Sequence, residues 1–329
     1  MNSAIFWRAV LERLEAGTPL FVALVVANTR GSPGTLGARL LVDADGNTLG
    51  TIGGGIMEAN LVRAARNGLR AGRDAPPALE QLEHRDKPGT AHPSGLICAG
   101  EQTNLNLWLQ PSRDAATIRA FCTALDAGNG DAATLQIDTD GLRVTCAQDV
   151  GMQLSRDGER WQYREGSVNA VRLAIVGGGH CGKALARLAV DVGYSVEVFD
   201  TRAEALDNAA DWPAEVRRVL LGDYAELPSH LHWPELTTVA VMTAAMTQDV
   251  EALTALADVN LHWLGVMGSA AKIHEIRQRL AAHGIAQERM AAIHGPIGLP
   301  MKSDTPPEIA VSIMAQLLAE RRDSHRPRV

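Results

Sequence analysis

The fold is decided by Val171 to Arg202, which reads VRLAIVGGGHCGKALARLAVDVGYSVEVFDTR. Val171 to Val176 is a short apolar run with the length and flanks of a strand buried in a parallel sheet. The run breaks at Gly177, Gly178 and Gly179, and Gly182 completes a G-x-G-x-x-G spacing. From His180 to Val192 the residues Ala184, Leu185, Leu188, Ala189 and Val192 share one helical face, and Gly193 stops the pattern. Ser195 to Phe199 then alternate into a second strand that ends on Asp200.

Each residue of this stretch has a physical role in holding a dinucleotide. Gly177 permits the tight turn, Gly179 lets a pyrophosphate approach the backbone, and Gly182 lets the helix pack on the sheet. The free N–H groups from His180 onward would hold the phosphates, and Asp200 stands where a ribose hydroxyl needs an acceptor. The expectation is a Rossmann-like unit with NAD(P) as one ligand it suits. The same glycines also fit such a unit with an empty loop, because fold and site separate readily.

Composition narrows the classes. A length of 329 residues predicts two domains, and 46% hydrophobic content is enough for ordinary cores. The net charge of −7, with no basic stripe, argues against a nucleic-acid partner. No apolar run reaches a membrane span, and Arg8, Glu12, Arg13 and Glu15 interrupt the first apolar residues, so neither a membrane partner nor a signal peptide is expected. The cysteines Cys98, Cys122, Cys146 and Cys181 form no C-x-x-C pair. These features together predict a cytoplasmic protein.

Ahead of the fingerprint, Ser3 to Ala16 reads as an amphipathic helix and Leu20 to Ala27 as a nearly continuous apolar strand. Thr29 to Gly34 is a loop rich in breakers, and Asp43-Ala44-Asp45-Gly46 turns a hairpin between 38–42 and 48–52. The hairpin leads to Gly53-Gly54-Gly55 and a helix from Ile56 to Ala71 with Glu58 in its first turn. That helix start is a second place able to receive an anion, or a packing turn whose dipole Glu58 balances. Ile97-Cys98-Ala99-Gly100-Glu101 enters a strand alternating at Leu105, Leu107 and Leu109. Cys98 there is either a small buried hydrophobe or an exposed thiolate. Residues 112–166 read as a helix and short strands that serve as scaffold.

Beyond the fingerprint, strands are expected near 218–221, 237–242 and 262–267, with helices at 247–257, 269–283 and 307–321. The alternation predicts a doubly wound parallel sheet, with Met242-Thr243, Gly268-Ser269 with Lys272, and Pro296 to Leu299 at its carboxyl edge. The fold class is therefore α/β, a Rossmann-like second domain over 167–329 behind a smaller α/β domain over 1–166.

The chain resembles the xanthine dehydrogenase accessory factor family, also called XdhC/CoxI, along nearly its whole length. The resemblance rests on an ordered set of pieces: Gly31-Ser32-Pro33-Gly34 with Gly37-Ala38-Arg39, Gly50 to Gly55 with Glu58, and Ile97 to Gly100. In the second half it rests on Gly177-Gly178-Gly179-His180 with Gly182, Met242-Thr243 with Asp249, Gly265 to Ser269 with Lys272, Pro296 to Leu299, and Thr305 to Ile313.

The resemblance implies an accessory or maturation factor that binds the molybdenum cofactor, protects it, and passes it in sulfurated form to a xanthine dehydrogenase or aldehyde oxidase-type molybdoenzyme. A cysteine desulfurase partner and a homodimer belong to the same expectation. Cys98 would face molybdenum or sulfur, Arg39 would contact phosphate, Gly53 to Gly55 and Glu58 would line the pterin side, and Gly31, Ser32 and Gly100 would also bind the cofactor. Gly177, Gly179, His180 and Gly182 would line the nucleotide side of a cofactor in dinucleotide form, with Asp200, Gly268, Ser269 and Lys272 as further cofactor-binding residues. The chain departs from the family at Ala99, where glycine is usual, at Ala244, where histidine is frequent, and at Cys181, which takes a commonly aliphatic place. The rival reading from the fingerprint is an NAD(P)-dependent oxidoreductase, for which Lys272 and His180 are the only nearby proton donors.

Overall fold

Leu20 to Asn28 is apolar almost throughout because both faces of its sheet are covered. In the computed structural model, which describes residues 3–29, 31–83, 100–127, 133–146, 151–168 and 171–324, the chain divides into units Met1–Asn169 and Ala170–Val329. The first unit is no shorter than the second, where a smaller one was expected.

The first unit runs α1 (Ser3–Glu15), β1 (Leu20–Asn28), β2 (Arg39–Val42), β3 (Thr48–Thr51), α2 (Gly55–Arg70), β4 (Ala78–Glu83), β5 (Glu101–Leu109) and α3 (Pro111–Ala127). These five strands form one sheet in the order β3-β2-β1-β5-β4, antiparallel at every step. Leu20, Val22 and Leu24 of β1 join Phe6, Trp7 and Val10 of α1 and Ile118 and Phe121 of α3 in one core. Phe21, Ala23 and Val25 point the other way, onto Met57, Ala65 and Leu69 of α2. Each of the larger of these side chains contributes roughly 1.5–3 kcal/mol relative to exposure. Four further strands, β6 (Thr134–Asp138), β7 (Gly141–Thr145), β8 (Met152–Asp157) and β9 (Arg160–Gly166), make a second antiparallel sheet in the order β7-β6-β9-β8. Leu135, Ile137 and Tyr163 tie that sheet into the α1–α3 core.

The second unit runs β10 (Arg172–Val176), α4 (His180–Asp191), β11 (Ser195–Asp200), α5 (Ala203–Leu206), β12 (Arg217–Leu220), α6 (Leu227–His230) and β13 (Thr237–Val241). It continues with α7 (Met246–Leu256), β14 (Trp263–Val266), α8 (Ala270–Ala282), α9 (Gln287–Ala291) and α10 (Pro306–Ser324). The sheet order is β12-β11-β10-β13-β14, parallel throughout. Leu173 and Ile175 bury against Leu185 and Ala189 of α4 and Ile313 and Leu317 of α10. Ala174 and Val176 face Val250 and Leu253 of α7 and Ile273 and Ile276 of α8. The strand order reverses direction between β10 and β13, so the loops after these two strands bound the crevice where doubly wound sheets bind ligands. Among the described residues no helix is long and apolar enough to cross a membrane.

Candidate functional site

In the first unit three glycine-bearing segments, far apart in sequence, meet at one end of β1 and β5. A Cβ on Gly34 would lie 2.4 Å from Ile52 O, one on Gly53 2.8 Å from Gly34 N, and one on Gly100 2.6 Å from Ser32 N. The backbones touch, and no side chain fits between them. Gln102 holds the junction. Its Oε1 accepts from Gly34 N and Ser32 Oγ, both at 3.0 Å, and its Nε2 donates to Ile52 O at 3.0 Å and to Asn104 Oδ1 at 2.8 Å. Its side chain is buried, as is that of Asn104, whose Nδ2 has no partner among the described residues.

Sequence reasoning missed Gln102, because alternation with Leu105, Leu107 and Leu109 makes 102, 104 and 106 read as a solvent face. The available signal was three polar amides in a strand whose neighbours are covered on both sides. A cavity of about 340 Å³ lies at the opposite end of β5, bounded by Pro76, Trp108 and Arg113, away from every motif residue.

The anion expected at Gly53 to Gly55 is supplied from within. Glu58 Oε2 accepts from Thr51 Oγ1 at 2.6 Å, Ile52 N at 2.8 Å and Gly54 N at 3.1 Å. Gly54 caps α2 with φ of 70° and no side-chain cap of its own. The Glu58 carboxylate therefore sits where a phosphate would, stabilised by the amides and the helix dipole.

Arg39, expected as a phosphate contact, is instead inside the core. It is 6% exposed, and its Nη2 lies 2.8 Å from Glu165 Oε1. Glu165 also accepts from Trp7 Nε1 at 3.1 Å, Tyr163 Oη at 3.0 Å and Ser3 Oγ. Through Nη2 the guanidinium ties β2 to β9, and through Glu165 to α1, while its buried Nη1 has no partner among the described residues. Gly31 and Ser32 sit at the loop junction, with Ser32 N donating to Thr29 O at 3.1 Å. Cys98 and Ala99 lie outside the described residues.

In the second unit the glycines divide into two kinds. Gly177 has φ of 125°, and a Cβ there would lie 2.3 Å from Met242 O. A Cβ on Gly182 would lie 2.0 Å from Gly177 O. Both are packing glycines. Gly179, the cap residue of α4, has no side-chain cap bond, and a Cβ added to it meets nothing within 4 Å. Open space lies over the helix start, and His180 beside it is exposed.

Asp200 is 0% exposed. Its Oδ2 accepts from Gly178 N at 2.7 Å and Arg202 Nη2 at 2.8 Å, and its Oδ1 from Arg202 N at 2.9 Å and Arg202 Nε at 3.0 Å. Burial alone would raise its pKa, but the Arg202 side chain and the two backbone N–H groups hold it below the ordinary carboxylate range.

On the other side of the switch point, Thr243 donates from N and Oγ1 to Asp249 Oδ1 at 3.0 and 2.7 Å. Lys272 Nζ stands 2.5 Å from Asp249 Oδ2, and Asp249 is 0% exposed. Ser269 caps α8 by accepting from Lys272 N at 3.2 Å, and the lysine stem lies across Gly268, where a Cβ would meet Lys272 Cδ at 2.7 Å. The crevice therefore brings Gly177 to Gly179, Asp200, Thr243, Asp249, Gly268 and Lys272 into one contiguous set. Asp249, part of a motif but assigned no role from sequence, anchors the far side.

Residues 13–82 match the XdhC and CoxI family, and residues 173–317 match the XdhC Rossmann domain. Both halves of the pattern fall in order on one chain. The chain belongs to the XdhC and CoxI family.

Among relatives of this family member, the uncharacterized protein YqeB of Escherichia coli K12 is 25% identical over 312 residues, 95% of this chain and 46% of YqeB. The molybdenum cofactor insertion chaperone PaoD of the same organism is 24% identical over 316 residues, 95% of this chain and 87% of PaoD. A probable xanthine dehydrogenase component of Bacillus subtilis is 29% identical over 151 residues, 46% of this chain and 43% of that protein. The chain thus spans less than half of YqeB and of the Bacillus subtilis protein, and most of PaoD. A crystal structure of a xanthine dehydrogenase from Bacillus halodurans shares the fold, with a TM-score of 0.72 and 20% identity over all of this chain and 98% of that one.

The residues of this XdhC and CoxI chain suit a phosphorylated ligand better at one loop than at the other. At Gly179 the space a Cβ would fill is open above an uncapped helix start, which fits a pyrophosphate. At α2 the comparable amides of Ile52 and Gly54 already hold Glu58. At that junction Glu58 and Gln102 take the N–H groups of Ile52, Gly54 and Gly34.

Proposed function

We propose that this chain binds the molybdenum cofactor, shields it in sulfurated form and passes it to a hydroxylase of the xanthine dehydrogenase type. The observation that carries this reading is the similarity to PaoD, a molybdenum cofactor insertion chaperone, over 95% of this chain and 87% of PaoD. Family membership over both halves and the open Gly179 loop support it.

In this reading Cys98 supplies a soft thiolate for molybdenum or for the transferred sulfur. Gly100, two residues on in sequence, packs on Ser32 at the three-loop junction. The Gly177 to Gly182 loop takes the nucleotide side. The chain acts as an accessory factor rather than a catalyst, with a cysteine desulfurase as sulfur source and a homodimer as its working form.

The test is to purify the chain from a molybdenum-replete host and measure bound molybdenum, pterin and nucleotide. Stoichiometric molybdenum and pterin are expected, and Cys98→Ser should lose them while its thermal midpoint stays within a few degrees. A Cys98→Ser protein that melts early yet keeps cofactor in its folded fraction would sink the thiolate role.

A second reading, an NAD(P)-dependent oxidoreductase, is favoured by the complete strand–loop–helix geometry at Gly177 to Gly182. A preparation that carries NAD(P) without molybdenum or pterin, and that transfers hydride to a small substrate, would replace the first reading with this one.

A further inference from the structure

Asp200 occupies the position at the end of β11 from which a carboxylate accepts the two hydroxyls of a nucleotide ribose. An ionised carboxylate offers about four lone-pair sites. All four are used here, by Gly178 N, Arg202 N, Arg202 Nε and Arg202 Nη2, and the side chain has no exposed surface. A ribose diol has nothing on Asp200 left to bond.

Arg202 is placed differently. The Nε–Nη2 edge of its guanidinium grips Asp200, which leaves both hydrogens of Nη1 and the second hydrogen of Nη2 unused by that grip. Its side chain is 34% exposed. An arginine fork with one edge anchored and the other open matches a phosphate bidentately, at little cost in side-chain freedom. Glu204, exposed on α5, also attracts Arg202, so a phosphate has to outcompete that solvated carboxylate.

We propose that Arg202, braced by the buried Asp200, sets nucleotide specificity in the second unit, selecting a dinucleotide that carries a phosphate on its ribose over one with a free diol. The inference rests on the second reading above, in which the Gly177 to Gly182 loop holds NAD(P). It goes further by naming the ligand class and the residue that reads it.

The experiment is calorimetric titration of the full chain with NADP⁺ and with NAD⁺ at fixed ionic strength, in the native protein, Arg202→Ala and Arg202→Lys. The native chain should bind NADP⁺ at least about tenfold more tightly, the scale of one charge-assisted bidentate contact. Arg202→Ala frees one lone pair on each Asp200 oxygen, so the preference should reverse toward NAD⁺. Arg202→Lys keeps the charge without the fork and should retain a smaller NADP⁺ preference, which guards against an alanine variant that fails to fold.

Equal or tighter binding of NAD⁺ by the native chain overturns the proposal, as does an unchanged ratio in Arg202→Ala, or binding of neither nucleotide. Molybdenum and pterin content, measured on the same preparation, reports on the chaperone reading separately. A chain that retains cofactor but shows no NADP⁺ preference loses only the specificity claim.

Discussion

The two glycine-rich regions look alike in sequence and differ in what their amides do. At the junction of 31–34, 53–55 and 100, Gly34, Gly53 and Gly100 are needed because three backbones touch, whereas Gly54 caps α2 beside open space but has its N–H bonded to Glu58. At 177–182 the first and last glycines pack in the same way, but Gly179 faces open space at an uncapped helix start. A glycine cluster before a helix signals close approach of something. Whether that is the protein's own backbone or a ligand depends on what already fills the space.

The largest effect that tests this contrast is Gly182→Ala, whose Cβ would sit 2.0 Å from Gly177 O. We expect a loss above about 4 kcal/mol or failure of the second unit to fold, with Gly179→Ala within about 1 kcal/mol of the native chain. Urea unfolding followed by the fluorescence of Trp212 and Trp263 measures both. Equal costs at the two positions would erase the distinction between packing and open glycines.

Next in size is Gln102→Ala, which strands Gly34 N–H, the Ser32 hydroxyl and Ile52 C=O. Leaving such buried groups unpaired should cost about 2–4 kcal/mol, with faster hydrogen exchange at Gly34. Unchanged protection there would mean the junction is held by something other than Gln102.

Asp200→Asn should cost about 1.5–3 kcal/mol at neutral pH, the worth of hydrogen bonds to a charged group. The folded pKa of Asp200 is depressed, so its contribution is fully present above the unfolded value near about 3.9 and is lost as pH falls toward the folded one. The stability gap between native and variant should therefore hold steady from pH 7 to pH 5 and close below about pH 4. A gap that does not narrow at all as pH falls below about 4 would show that the group acts through packing.

The smallest effect is Glu58→Ala, about 1 kcal/mol from a lost internal cap. It should also open the amides of Ile52 and Gly54 to inorganic phosphate, detectable by calorimetry in the variant and absent in the native chain. Phosphate binding of equal strength in both would mean that Glu58 never blocked the site.

Most elements of the second unit were legible in the sequence, because its strands, breakers and caps are local signals. Glu308 Oε2 accepts from Asp304 N at 2.9 Å and Thr305 N at 2.8 Å, a local capping interaction at the start of α10. The first unit was harder. The apolar run at Leu20 resembles a strand of a parallel sheet, yet it is central in an antiparallel one because α1 and α3 cover one face and α2 the other. Gln102 and Asn104 read as surface residues for the same reason. Arg39 misled because its partner Glu165 lies 126 residues away, and no local pattern announces a buried ion pair.

By itself the sequence determined the order of strands, glycine loops and helices in the second unit, and the motif set that marks the family. Backbone preference, hydrophobic period and cap chemistry act over a few residues and are written directly in the chain. Only the tertiary structure decided which polar groups remain free. Gly178 N meets Asp200 across 22 residues, Gly34 N meets Gln102 across 68, and Lys272 meets Asp249 through two different helices. A hydrogen bond is a property of a pair, and folding chooses the pairs. The same choice saturates Asp200, turns Arg39 inward and leaves Gly179 open.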